Sequence, residues 1–304
     1  MPTPKDWISA MRLRTLPLAA STVLAGASSA LNYAKFSWLT FSLILITTLL
    51  LQILSNLAND LGDSIKGTDD ENRLGPMRSI QSGAISKGQM KQITVAFAIL
   101  SLVMGLSAIW SAFNSISYIT SFFVLIGIGA ISAAMKYTLG KNPYGYSGLG
   151  DVFVFVFFGL VGVTGTDYLL SGEFHWHALL LSYTVGAFSA AVLNLNNLRD
   201  YKNDKTHGKN TIVVKFGLKK AKQFHLFLLI SGWATLMVFL FAFHLSNAWF
   251  IIAIGNLFWA NSKKVLTTRD EKELDPELKK IALGTFGVFL LLFIVQLNYT
   301  YELL

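Results

Sequence analysis

The sequence predicts an all-α, polytopic membrane protein of about nine transmembrane helices, and three observations carry that reading. Charged residues make up 14% of the 304-residue chain and hydrophobic ones 53%, whereas a soluble domain carries about a quarter charged residues. Nine apolar runs follow one another, at about 16–34, 38–58, 93–112, 116–135, 151–170, 177–197, 225–244, 247–262 and 281–299. Roughly twenty such residues cross a hydrocarbon core as a helix. The basic residues are also sorted by side: of 25 Lys and Arg, Lys35 alone lies in a loop on one face.

Taken in order, the first run follows Arg12 and Arg14 and so resembles the start of a secretory signal. It lacks a clear small-x-small cleavage site ahead of a soluble domain, and further runs follow, so it reads as a retained helix. The second run ends in the acid-rich stretch NLANDLGDSIKGTDDENRLGP, residues 56–76. The fourth and fifth are joined by KYTLGKNPYGYSGLGD, residues 136–151, and the sixth ends in NLNNLRDYKND, residues 194–204. The eighth is the shortest, and the ninth leads to a polar NYTYELL end. The whole chain, 1–304, reads as a single membrane domain.

The N-terminal segment and loops 59–92, 136–150, 198–224 and 262–280 hold every Lys and Arg except Lys35. That bias places them in the cytoplasm and the C-terminus on the opposite side of the cell (inner) membrane. Trp38, Trp176 and Trp249 then lie at the outer boundary, as interfacial anchors do. The net charge of +8 follows from this topology and from attraction to anionic membrane lipid, so it implies no nucleic-acid partner. Absence of cysteine excludes disulfides, thiol catalysis and Cys-ligated metals. No GxxxxGK[ST] run is present, which argues against a nucleotide-phosphate cradle.

Two polar constellations exceed what topology requires. At the end of the second run, Asn56 and Asp60 are four residues apart, as are Asn59 and Asp63, and Asp69, Asp70 and Glu71 follow. On a continuing helix this spacing puts the side chains on one face. At the end of the sixth run Asn196, Asp200 and Asp204 repeat the step of four, with Asn197 beside them. Facing carboxylates at a membrane edge repel unless a cation lies between them, and Mg²⁺ typically takes one or two carboxylates plus substrate phosphate oxygens and water. Lys66, Arg73, Arg78, Arg199, Lys202, Lys205 and Lys209 accompany the acids, and acids with bound Mg²⁺ beside Lys and Arg form a receptor for a diphosphate. The loop 136–150 adds Lys136, Lys141, Tyr137, Tyr144 and Tyr146. Asp151 reads as a helix cap. A carrier of cations or organic anions is the rival reading of paired membrane acids, although carriers hold theirs near the midplane.

These residues carry a family resemblance. RLRTLPLAASTVLAG (12–26), LQILSNLANDLGDSIKGTDDENRLGPMRSIQSG (51–83), YGYSGLGDVFVFVFFG (144–159) and LNNLRDYKNDKTHGKNTIVVKFG (195–217) resemble the UbiA-type intramembrane prenyltransferases, within them the branch acting on 1,4-dihydroxy-2-naphthoate. The resemblance implies helices around a central cavity with polar capping loops. In the family's NxxxDxxxD motif Asn59 and Asp63 fill the first two places and Gly67 falls on the third, leaving Asp60, Asp69 or Asp70 to complete the metal shell; the second motif, DxxxD, is intact as Asp200 and Asp204. The family's Tyr/Lys element falls on Lys136 and Tyr137 or on Tyr137 and Lys141.

The resemblance further implies an enzyme that moves a polyprenyl group from polyprenyl diphosphate to 1,4-dihydroxy-2-naphthoate with loss of CO₂ and diphosphate, giving the demethylmenaquinol precursor. A different aromatic acceptor, such as 4-hydroxybenzoate, is the alternative. Asn56, Asn59, Asp60, Asp63, Asn197, Asp200 and Asp204 are the expected metal residues, with the four Asp the catalytic set. Lys66, Arg73, Lys141, Arg199 and Lys209 are expected on the diphosphate, and Arg12, Arg14, Tyr137 and Tyr144 on the acceptor.

Overall fold

The computed structural model describes residues 2–31, 33, 36–69, 74–243, 245 and 249–302, and no strand occurs among them. Twelve helices follow in chain order: α1 Pro4–Met11, α2 Leu16–Ala30, α3 Trp38–Lys66, α4 Lys87–Phe113, α5 Tyr118–Lys136, α6 Gly150–Val154, α7 Gly165–Ser171, α8 Ala178–Arg199, α9 Tyr201–Thr206, α10 Ile212–Ala242, α11 Trp249–Thr267 and α12 Asp275–Glu302. A π-helical stretch, Phe155–Thr164, joins α6 and α7 into one continuous rod.

Seven rods among the described residues are long and apolar enough to cross a membrane alone, and the chain is a multi-pass membrane protein. The nine expected spans each have a helix, but two fall outside that set. α2 has only 15 residues, about 22 Å at 1.5 Å per residue. α11 carries Asn256, Asn261, Lys263 and Lys264. Several helices also run past the expected hydropathic boundaries. α3 continues to Lys66, α4 starts at Lys87 behind a Ser86–Gln89 capping box, and α10 begins with a short turn from Ile212 on a Thr211 cap that kinks at Gly217, with φ of 76°, into the long helix that follows. Hydropathy marks the apolar slab, whereas helix ends are set by side chains that satisfy the first free N–H groups.

α2 and α8 form the centre. Small residues in LPLAASTVLAGASSA let neighbours approach closely, and all but three positions of α2 are buried. Without a hydrophobic drive between helices in lipid, close packing of small residues is what holds such a bundle together. At Gly159 the π-helical stretch meets α8 so tightly that an added Cβ would lie 2.9 Å from the Gly186 Cα and closer still to the Ser182 carbonyl. α5 lies at the periphery, with 11% of its apolar window buried against 72% for α8.

Contacts between helix ends place the charged segments together. Asn56 donates to the Met11 carbonyl at 3.0 Å, Thr138 to the Ala58 carbonyl at 3.0 Å, Lys215 to the Ser147 carbonyl at 2.7 Å, and Arg199 to Asp275 at 2.5 Å. At the other end of the bundle Tyr33 stacks on His175 at 4.1 Å and lies 5.0 Å from His177, while His175 Nδ1 is 3.0 Å from Asp167.

Candidate active site

Both acidic motifs end at the same place. α3 closes at Gly67, a left-handed cap with φ of 71°, a conformation natural to glycine. That cap explains why the third place of the first motif is not an acid: the helix stops there. The chain turns and presents the Thr68 carbonyl to Asn203 Nδ2 at 2.9 Å, a buried bond that ties the first motif to the second. α8 and α9 meet at Asp200, so Asp204 sits one turn beyond the junction.

Lys209 lies between the two motifs. Its ammonium is 3.7 Å from Asp204 and is only slightly exposed. Burial alone would lower its pKa, but the carboxylates of Asp63 and Asp204 outweigh that and raise it, so the group stays charged. Tyr146 hydroxyl donates to Asp63 at 2.8 Å and lies 2.9 Å from the Thr68 hydroxyl. The ammoniums of Lys66 and Lys209 sit over its ring, 5.1 and 5.4 Å from the centroid. Burial, then the charge of Asp63, push the Tyr146 phenol up, which keeps it a neutral donor. Tyr137 is half-buried in the same field: desolvation raises it first, Lys209 opposes, and Asp151, Asp63 and Asp204 raise it further.

Tyr137 is placed by close approach of its loop to α3. A Cβ at Gly62 would lie 2.6 Å from the Thr138 Cβ and 2.8 Å from the Thr138 carbonyl carbon. We expect Gly62→Ala to displace the 137–139 loop, to cost about 1–3 kcal/mol as overpacking does, and to lower kcat with it. Tm and kcat on the purified variant check this, and a normal kcat would show that Tyr137 placement does not matter to turnover.

Other expected site residues are engaged differently. The Asp60 carboxylate is held by Arg12 at 2.6 Å and Arg78 at 3.1 Å, and is almost wholly buried. Asn56 is bonded to Met11 and Thr15 and holds the N-terminal segment on α3. Asn59 accepts from Thr138 at 3.3 Å. Arg199, expected on the diphosphate, is buried with every donor nitrogen engaged, forked onto Asp200 at 2.9 and 2.7 Å and bonded to Asp275 and Asn196. Tyr144 gives its hydroxyl to the Ala133 carbonyl at 2.8 Å and stacks on Phe153, which makes it packing. Lys141 is exposed, and Arg14 is half-exposed, 4.0 Å from Asp275. Asp69 lies 3.8 Å from Arg78; Asp70, Glu71 and Arg73 lie outside the described residues. Tyr146, Thr68 and Asn203 were not among the expected site residues. The only sequence signal for Tyr146 is its alternation with Tyr144 across Gly145, which cannot say which ring turns inward.

No group of three or more His, Cys, Asp or Glu among the described residues could enclose a metal by itself. Asp204 lies 3.7 Å from the Lys209 ammonium, Asp63 accepts from Tyr146 beneath the same ammonium, and the buried Oδ1 atoms of Asn197 and Asn203 have no hydrogen-bond partner. Such a sparse oxygen set suits Mg²⁺, which keeps coordination places for water and phosphate.

A model of the UbiA prenyltransferase family matches residues 19–298. The chain belongs to the UbiA prenyltransferase family. It is a prenyltransferase, and it is similar to 1,4-dihydroxy-2-naphthoate octaprenyltransferases. It is 41% identical to a 1,4-dihydroxy-2-naphthoate octaprenyltransferase of Haemophilus influenzae, covering 92% of this chain and 91% of the relative. Identity to the 1,4-dihydroxy-2-naphthoate octaprenyltransferase of Escherichia coli is 38%, covering 91% and 90%. Among solved structures, a UbiA homologue from Archaeoglobus fulgidus bound to DMAPP and Mg²⁺ superposes with a TM-score of 0.63 at 16% identity, covering 97% of this chain and 99% of that one. At that identity the likeness establishes the family's fold.

Proposed function

We propose that this prenyltransferase moves a polyprenyl group from polyprenyl diphosphate to 1,4-dihydroxy-2-naphthoate, releasing CO₂ and diphosphate, in a Mg²⁺-dependent reaction at the cytoplasmic edge of the cell membrane. The observation that carries it is that Asp63 and Asp204, from separate motifs, meet across Tyr146 and Lys209: Asp63 accepts from the Tyr146 hydroxyl, and the Lys209 ammonium lies over that ring and 3.7 Å from Asp204, in a chain of this family. The similarity of the naphthoate enzymes over nine-tenths of the chain supports the acceptor. The basic bias of the loops supports the cytoplasmic placement of the site.

Asp63 and Asp204, with the Asn197 and Asn203 amide oxygens, would hold Mg²⁺, which supplies charge neutralisation for the leaving diphosphate. Lys66 and Lys209 add charge-assisted hydrogen bonds to the same oxygens. The allylic C–O bond breaks with its electron pair going to diphosphate. An electron-rich ring carbon bonds to the prenyl carbon, and the ring carboxylate leaves as CO₂ with its bonding pair restoring aromaticity. The neutral Tyr137 and Tyr146 phenols line the polar end of the site, and the apolar bundle keeps water from the allylic cation.

We assign the acceptor carboxylate to Arg12, which Asp60 turns inward. Arg12→Gln is expected to raise KM for the naphthoate several-fold while leaving KM for the donor unchanged. Equal changes in both would remove that assignment.

The deciding experiment supplies the purified protein with 1,4-dihydroxy-2-naphthoate, a polyprenyl diphosphate and Mg²⁺, and follows CO₂ and prenylated quinol with an EDTA control. Mg²⁺-dependent release of both is the expected result. Diphosphate release without CO₂ would replace the acceptor by another aromatic, and no turnover of any prenyl diphosphate by folded protein would overturn the reading.

A further inference from the structure

A groove on the lipid-facing side of the bundle lies behind the site and belongs to no step of the reaction. Its upper part, about 480 Å³, is walled by Leu61 and Ile65 of α3, Thr94 and Val95 of α4, and Met135 and Leu139, with Lys87 and Lys91 at the polar mouth. A second stretch of about 300 Å³ continues it between α4 and α5, past Ala98, Ile99 and Leu102 on one wall and Ile128, Ile131 and Ser132 on the other. Val95 and Met135 line both parts, so the two form one slot.

The dimensions and charges select an occupant. From Lys91 to Leu102 along α4 is about 16 Å at 1.5 Å per residue, close to the roughly 15 Å depth of one leaflet. The slot is apolar along that length and cationic at the membrane-edge end only. Lys87 is anchored there by donating to the Ser64 carbonyl at 2.9 Å, and Lys91 is exposed. Asp60 and Asp63 are buried on α3 and line neither part of the groove.

We propose that this groove is a binding site for one anionic phospholipid, its phosphate between Lys87 and Lys91 and an acyl chain between α4 and α5. The inference goes beyond the reaction and does not depend on it. Basic pockets between membrane helices hold acidic head groups through near-surface charge, at about 1 kcal/mol per Lys.

The test is native mass spectrometry of the detergent-purified full chain with phosphatidylglycerol or phosphatidylcholine of identical acyl chains. A preference for phosphatidylglycerol of about 30-fold is expected, corresponding to about 2 kcal/mol at 1.4 kcal/mol per tenfold. Lys87→Gln with Lys91→Gln should erase the preference, and Ala98→Trp, which fills the slot without touching the lysines, should lower retention of both lipids. Equal retention of the two lipids by the unmodified chain would overturn the proposal, as would a preference that survives the double variant. Displacement of phosphatidylglycerol by inorganic phosphate alone, or by a polyprenyl phosphate at equal concentration, would also overturn it in favour of a simple anion site or a donor site.

Discussion

Asp63→Asn lowers kcat by about two to three orders of magnitude, the scale of a lost contact to charge developing in a transition state, while the protein still inserts and melts near its normal temperature. Asn retains the acceptor for the Tyr146 hydroxyl, so local packing survives. What disappears is a negative charge facing Lys209 and the metal position. Asp204→Asn, from the other motif, should behave alike, and the double variant should be little worse than either, because groups acting as one unit are not additive. Asp60→Asn provides the contrast. It strips Arg12 and Arg78 of their shared buried carboxylate, so we expect a stability loss of about 3–5 kcal/mol with a smaller change in kcat. Steady-state kinetics and thermal melts of the three single variants decide the point. If Asp60→Asn proved the most damaging to kcat with Tm intact, the metal position would have to move to Asp60.

Lys209→Met removes the buried ammonium beside Asp204 and over the Tyr146 ring that donates to Asp63, leaving two carboxylates with like charge. Without divalent ions the variant should lose about 3–5 kcal/mol, as breaking a buried pair does. Added Mg²⁺ should then raise its Tm by more than it raises that of the unmodified chain, since a ligand that binds only the folded state stabilises it by mass action. The pH dependence has a defined sign. The Lys209 pKa is raised above its ordinary 10.5, so its contribution is fully present below that value and is lost only as pH rises through the higher folded value. The stability gap between the two proteins should therefore be flat from pH 7 to 9. Identical Mg²⁺ dependence of Tm in both proteins would show that the metal position does not lie between these two acids.

Much of the architecture was legible because membrane folding imposes coarse rules on composition. Every expected apolar run contains a helix among the described residues, and the Asn/Asp motifs do sit at helix ends on one face of the bundle. Boundaries were less legible. Polar turns such as 87–92 and 275–280 extend helices beyond the apolar slab, and hydropathy has no signal for the Ser86 box that starts α4. The short α2 crosses its region because its small residues pack it inside the bundle, where length in lipid is not the criterion.

The site was legible by residue type and poorly legible by role. Spacing put Asp60 and Asp63 on the same helical face, and a rise of three residues on a helix turns a side chain by about 300°, enough for Asp60 to meet Arg12 and Arg78 while Asp63 meets Tyr146. Nothing local to Arg199 announces that it closes onto Asp275, 76 positions away. Tyr144 and Tyr146 differ by two positions, yet one hydroxyl caps the end of α5 and the other reaches Asp63.

By itself, then, the sequence determined the class of molecule, the family pattern and the end of the bundle where the two Asn/Asp motifs lie, because transfer energies and helical periodicity act within short segments. Only the tertiary structure decided which acids meet arginines and which meet Tyr146 or Lys209, and that Arg199 is bonded into the frame through Asp200 and Asp275. Those are long-range pairings, set by where helix ends meet, and no local spacing contains them.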